Sequence, residues 1–254
     1  MQVERVRDGY VAKLTVADVA LIDRVVDPLL PFARFDKLGL YRRMSAADFW
    51  LKLVGQICVM GSARHWEKAR ADRETMTLLH YDAVRARRDP AVYLAKVLEE
   101  RKATRFHPNA AKKLADALEN PSFFASGELV AFNALPHRHG SDAVRDALMD
   151  RWDGFGMKSA SDFMITVGLS DDVVALDSRI VGFLNRHCKF RPQASSLQSN
   201  PARYRAVEHA LRDYARSKGI SLAKLDRILF QFSAGGLVEF IASTPTLKLM
   251  PSAA

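Results

Sequence analysis

An amine and a carboxylate stand nineteen positions apart in the stretch RWDGFGMKSASDFMITVGLSDDVVALDSRIVGFLNR, residues 151–186. The amine is Lys158, two positions after Gly156. The carboxylate is Asp177, in the run V-A-L-D-S-R. A neutral amine is a nucleophile that adds to an electrophilic carbon and leaves a Schiff base. Lysine has a reference pKa of about 10.4, so a proton must leave before attack. Partial burial or transfer to a neighbouring group favours that loss. A carboxylate beside the reacting carbon stabilises developing positive charge and assists deprotonation. Each residue also has a simpler role. Lys158 fits a solvated helix lysine, and Asp177 fits the N-cap of the helix SRIVGFLNRH. Capping and chemistry are compatible, because a cap holds its carboxylate in place.

The elements around Lys158 form a helix–hairpin–helix pattern. A helix ending near Trp152 meets the turn Gly154-Phe155-Gly156. The next helix carries Met157, Ala160, Phe163, Met164 and Val167 on one face, and Gly168 follows as a C′ glycine. Glycine permits positive φ and close backbone approach. The free N–H groups of a helix start attract an anion. A nucleic-acid phosphate suits such a site and is gripped there without sequence reading. An ordinary helical turn with glycines is the alternative.

The wider chain reads as helices. Ser45 caps an apolar stripe over 46–60 containing Phe49, Leu53, Ile57 and Met60, and Pro90 opens another helix. Asn109 is the expected cap of AAKKLADALEN, and Ser141 precedes DAVRDALMDRW. Further helices fall at 203–217 and 222–232, the latter ending at Gly235-Gly236. Val173–Leu176 reads as a short strand or the approach to a helix. Strand alternation is otherwise scarce, so the fold class is all-α. Residues 190–202 form the clearest flexible connector, and TPTLKLMPSAA reads as a loose tail.

Of the 254 residues, 48% are hydrophobic and 26% charged, which excludes a wholly disordered, collagenous or coiled-coil chain. The net charge of +9 suits polyanionic partners: nucleic acid, an acidic membrane surface or the ribosome. No apolar run is long enough for a transmembrane helix, and MQVERVRDGYVAKL lacks a signal-peptide core. Two cysteines cannot build a disulfide framework or a four-thiolate cluster, so a reduced, cytoplasmic location is expected. Cys58 reads as a small core residue. His137 and His139 lack metal-ligand spacing, and no metal is expected there. Arg85, Arg87 and Arg88 form a basic cluster that reads first as a solvated face and second as a DNA contact.

GFGMKSASDF followed by VALDSRI resembles the helix–hairpin–helix DNA glycosylase superfamily. It is most similar to its compact microbial 8-oxoguanine branch. LDRILFQFSAGGLVEF, TRFHPNAAKKLADAL and QICVMGSARHWEKA stand in the expected order, so the resemblance spans roughly 45–240. Only 151–186 carries it at motif grade, and the first 40 residues match no known pattern. There are departures. Trp152-Asp153 replaces the frequent Leu-Pro, so Asp153 sets a negative charge near the phosphate site. The four-cysteine cluster of the endonuclease-III branch is absent, and Phe230 stands where a tryptophan is usual.

The resemblance implies two helical lobes around a DNA-binding cleft, and four stretches within them. These are an N-terminal segment 1–44 packing with the C-terminal lobe, a helical lobe 45–150, the hairpin and catalytic segment 151–186, and closing helices 187–254. It makes Lys158 and Asp177 the catalytic pair of a bifunctional glycosylase and abasic-site lyase, acting on 8-oxoguanine in double-stranded DNA. Gly154, Phe155 and Gly156 become the phosphate clamp. Arg64 or His65, in the turn from Gly61, becomes the residue filling the gap left by an everted base. Phe230 and Phe232 become pocket walls, although aromatics at that spacing also suit a core. No organic cofactor is expected; a monovalent cation among the hairpin carbonyls is a family feature. A monomer, bound to the nucleoid in a prokaryote, is expected. The rivals are a glycosylase for an alkylated base or oxidised pyrimidine, and a non-catalytic DNA-binding hairpin module.

Overall fold

Residues 1–33, 35, 37–60 and 63–233 are described by a computed structural model. The Gly235-Gly236 helix end, the run GGLVEF, the tail and the turn residues Gly61 and Ser62 lie outside them. The chain divides into one unit of Met1–Asp36 with Asp171–Ala254, and a second of Lys37–Ser170. The division falls inside the stretch 151–186. The described residues are predominantly helical, as the apolar periodicities require. Two small antiparallel hairpins add to the helices. In the first, β1 (Gln2–Val6) pairs with β2 (Gly9–Lys13) across a turn at Arg7-Asp8, with Val6 opposite Gly9. Gly9 has φ +145°, which explains its residue type. The sequence reading missed these strands because neither buries a residue, and Val6 and Val11 are exposed rather than turned to a core. Helix α1 (Val16–Leu29) follows. Its cap Thr15 and Asp18 bond reciprocally, and Ile22, Val25, Val26 and Leu29 are buried.

In the Lys37–Ser170 unit, α2 (Ala46–Cys58) supplies the centre. Ser45 caps it: its Oγ accepts from Asp48 N at 3.1 Å, and its own N donates back to Asp48 Oδ2. Phe49 is fully buried and meets Phe123, Phe124, Phe132 and Phe163 edge-on, with centroids 5.4–5.6 Å away. Trp50 donates its indole N–H to Leu79 O at 2.8 Å. Short helices α3 (Ala63–Ala71), α4 (Arg73–Leu78) and α5 (Tyr81–Arg85) lead to α6 (Pro90–Glu100), which opens at Pro90 under an Asp89 cap. Helix α7 (His107–Glu119) starts two residues before Asn109, which therefore lies inside it and is not the cap. Pro108 accounts for this, since its fixed φ suits the first turn. Strands β3 (Phe124–Ala125) and β4 (Glu128–Leu129) form the second hairpin. Helix α8 (Gly140–Arg151) includes Ser141 rather than following it; the Ser141 hydroxyl bonds that of Ser170 at 2.6 Å. Helix α9 (Met157–Val167) ends at Gly168, with φ +72°.

The chain then returns to the first unit with α10 (Ser178–Cys188), α11 (Ala194–Gln198), α12 (Pro201–Ser217) and α13 (Leu222–Ser233). Helix α11 lies within the stretch read as a flexible connector. Asn200 caps α12 through Arg203 N at 3.0 Å. Within this unit β2 packs on α12, and α1 packs on α10 and α13.

Candidate active site

The α8–α9 turn is held by aromatic packing. Trp152, Phe155 and Phe163 pack in sequence, Trp152 edge-on to Phe155 with centroids 4.8 Å apart and Phe155 tilted against Phe163 with centroids 5.0 Å apart. Phe155, expected at the DNA surface, turns its ring inward and is 5% exposed. The two glycines serve different ends, and neither has positive φ. Neither therefore uses the positive φ that glycine permits. A Cβ on Gly154 would sit 2.3 Å from the Trp152 ring, so this glycine admits the indole. Gly156 is exposed, has extended backbone at φ −109°, and a Cβ there would meet nothing within 4 Å. Its openness is toward the outside, where a backbone-hugging ligand would lie.

Helix α9 begins directly at this open position. Gly156 N donates to Ser159 Oγ at 2.8 Å, and Ala160 N donates to Gly156 O at 2.9 Å. The N–H groups of the first helical turn have no intrahelical acceptor by geometry. Asp153, the departure beside the clamp, is exposed. Its backbone carbonyl accepts from Lys113 Nζ at 3.4 Å. An ammonium therefore already serves one lone pair of that hairpin carbonyl.

Lys158 lies in the first turn of α9, its side chain 25% exposed and its Nζ 3.3 Å from Asp162 Oδ2. The sequence reading missed Asp162, although its i,i+4 spacing from Lys158 signals it. A buried clasp ties α9 to α8. Arg145 of α8, with its side chain fully buried, donates to Ser161 Oγ at 3.0 Å, and Ser161 donates to Met157 O at 2.8 Å. Arg145 also pairs with Asp142. This clasp too went unread, because nothing in sequence marks an arginine as buried.

Asp177 caps α10. Its Oδ1 accepts from Arg179 N and Ile180 N, both at 2.9 Å. Oδ2 has no donor among the described residues. Val173–Leu176 just before it are all buried, in a connection that is neither helix nor strand. Arg179 lays its guanidinium over the Phe230 ring at 4.5 Å. Phe232 packs edge-on against Phe183 at 5.7 Å, beside His187.

Elsewhere, Arg64 is exposed at the start of α3. His65 is half-buried, and its Nδ1 lacks a partner among the described residues. Arg87 sits over the Tyr93 ring at 4.4 Å and Arg85 over Tyr81 at 5.9 Å, so two of the three clustered arginines are held by tyrosines. His137 stacks on Tyr41. No group of three metal-ligating side chains occurs among the described residues. Burial pushes the Cys58 thiol up to about 12 and the Cys188 thiol up to about 11, so both behave as core residues. No helix is long and apolar enough to cross a membrane, among the described residues.

A family model described as 8-oxoguanine DNA glycosylase matches residues 65–220, which include both Lys158 and Asp177. No curated protein matches the chain by sequence. Among solved structures, the Methanocaldococcus jannaschii 8-oxoguanine glycosylase/lyase in complex with a 15mer DNA containing 8-oxoguanine aligns with TM-score 0.66 and 18% identity, covering 85% of this chain and 97% of that one. The same archaeon's 8-oxoguanine DNA glycosylase, in a second crystal structure, aligns with TM-score 0.65 and 18% identity over 85% and 94%. The Thermotoga maritima 8-oxoguanine DNA glycosylase aligns with TM-score 0.60 and 20% identity over 84% and 94%. These likenesses establish a common fold.

Proposed function

Because this chain belongs to the 8-oxoguanine DNA glycosylase family, we propose that it excises 8-oxoguanine from double-stranded DNA and then nicks the strand as an abasic-site lyase. The damaged nucleotide leaves the stack to reach the enzyme, since its glycosidic bond is inaccessible inside a duplex. The first turn of α9, left open by exposed Gly156, binds a backbone phosphate through its N–H groups, giving grip without sequence reading. Lys158, as the neutral amine, attacks C1′. The bond from C1′ to the base nitrogen breaks, and the base departs with a proton. The sugar ring opens to a Schiff base between Lys158 Nζ and C1′. Loss of a C2′ proton then expels the 3′ phosphate by β-elimination, and water releases the lysine.

Asp177 supplies negative charge to the sugar while the glycosidic bond breaks. Its Oδ1 is committed to the α10 cap, and that commitment aims Oδ2. Asp162 holds the Lys158 ammonium before reaction. The family match across 65–220, running through both residues, carries this reading. In keeping with it, the net charge of +9 favours encounter with DNA.

Borohydride trapping on 8-oxoguanine duplex tests it. A covalent protein–DNA adduct is expected from the wild type and none from Lys158→Gln, which still binds duplex. Wild-type protein that binds the duplex but forms no adduct is a non-catalytic DNA-binding module or a glycosylase without lyase activity. Release of another base in preference to 8-oxoguanine overturns the substrate assignment.

A further inference from the structure

The segment before Asp177 raises an accounting problem. Residues 174–176 are buried, yet belong to no helix and pair with no strand. Buried backbone N–H and C=O groups must find partners. Here the partners are almost all side chains from α11, α12 and α13. Val174 N donates to Glu208 Oε1 at 3.0 Å, and Ala175 N donates to Asp226 Oδ2 at 2.7 Å. The Tyr204 hydroxyl donates to Val174 O at 2.7 Å and accepts from Leu176 N at 3.0 Å. Gln198 Nε2 donates to Leu176 O at 3.1 Å. The remaining group, Ala175 O, accepts from Asp177 N at 2.6 Å. All six backbone polar groups of 174–176 are thereby satisfied.

The cost of this arrangement is high. Tyr204 and Glu208 are fully buried and Asp226 is 1% exposed. Two carboxylates brought that deep need partners, and each also faces an arginine. Arg212 lies 3.8 Å from Glu208 Oε2, and Arg227 lies 3.8 Å from Asp226 Oδ1. Arg212 extends the grip upstream by bonding Asp172 at both its carboxylate and its carbonyl. A plain β-strand or an apolar loop would connect α9 to α10 with fewer buried charges. This one delivers a single half-buried carboxylate at its end, with its backbone tied down residue by residue.

We infer that Tyr204, Glu208, Asp226 and Gln198 are positioning residues for Asp177, a side-chain cradle that sets where its carboxylate meets the sugar. This rests on the reading of Asp177 as the charge-stabilising group. Electrostatic stabilisation depends on placement, and an error of about 1 Å can cost about 100-fold in rate. The α10 cap bonds set the direction of the Asp177 side chain, and the cradle sets its backbone.

Tyr204→Phe is the primary variant, because it removes one bridging oxygen and keeps the ring. Gln198→Ala, at a half-buried position, is the second and carries the test should Tyr204→Phe lower Tm. Four quantities are read: single-turnover release of 8-oxoguanine, Kd for the same duplex, borohydride trapping on preformed abasic duplex, and Tm. Trapping depends on Lys158 meeting an aldehyde and needs no glycosidic cleavage. Base release should slow about tenfold or more while Kd and abasic trapping stay within about threefold. Added to Asp177→Asn, Tyr204→Phe should cost nothing further.

The proposal is overturned by full base release in both variants, by equal falls in release and trapping, or by an undiminished loss in the Asp177→Asn background. The function reading fails separately, through a wild type that releases no 8-oxoguanine or an Asp177→Asn enzyme at the wild-type rate.

Discussion

Gly154 and Gly156 look alike in sequence and differ in what an added methyl would meet. On Gly154 the new Cβ would enter the Trp152 ring at 2.3 Å. Gly154→Ala should therefore destabilise the protein by about 1–3 kcal/mol through overpacking, read as a lower Tm. On Gly156 the Cβ meets open space, so Gly156→Ala should leave Tm nearly unchanged and weaken binding to undamaged duplex. Equal effects of the two on Tm would refute the division of labour. The ammonium of Lys158 has its own local test. Asp162→Asn removes the carboxylate at 3.3 Å, and should change the rate of abasic-site trapping without changing duplex affinity. The place of Lys158, in the first helical turn after the hairpin, was legible from the glycine pattern. Asp162 was visible only as a spacing, and the inward turn of Phe155 followed from packing that no local pattern encodes.

At the scale of elements, Asp177 has two tasks that substitution can separate. Asparagine caps a helix about as well as aspartate, whereas alanine loses about 1 kcal/mol of cap. Asp177→Asn should thus keep Tm and lose base release; Asp177→Ala should lose both. If Asp177→Asn kept full release, the carboxylate would be a cap and nothing more. Helix α9 depends likewise on its far end. Gly168 has φ +72°, and a Cβ there would overlap Lys37 O at 1.7 Å. Gly168→Ala should unfold that end of α9 and lower Tm by more than Gly154→Ala does. Ser45, Pro90 and Gly168 were read correctly because caps and stops are local chemistry. Asn109 was misplaced as a cap because Pro108 started its helix earlier, and α8 takes in Ser141 instead of starting after it.

Over the whole molecule, stability should carry an acid limb in the unit that contains Asp23. Burial raises the Asp23 pKa, but hydrogen bonds from the Lys218 ammonium and the Tyr214 hydroxyl outweigh it and hold the carboxyl below its ordinary value. Tyr214 OH lies 2.7 Å from Asp23 Oδ1 and Lys218 Nζ lies 2.8 Å away. A folded-state pKa below the unfolded one adds stability that is present above the unfolded value, about 3.9 for aspartate. It is lost as pH falls from there through the folded value. Asp23→Asn should lower Tm at pH 7, and the gap to wild type should narrow as pH falls below the ordinary aspartate value, about 3.9. A gap of constant size would mean the ion pair contributes no pH dependence. The surface charge makes a second whole-chain prediction: duplex affinity should fall steeply and log-linearly with salt, as phosphate contacts release counterions.

Residue order and type were enough for the helical class, the hairpin, the Lys158–Asp177 spacing and the cap at Asp177. Each of these is short-range, written in periodicity, in glycine placement or in a few adjacent residues. Other features depended on chain segments meeting across long separations. Tyr204, Glu208 and Asp226 reach Val174–Leu176 across 28 to 51 positions. Arg145 is buried against Ser161, 16 positions away on the next helix. Hydrogen bonding and close packing act through space, and a linear sequence leaves those distances unstated.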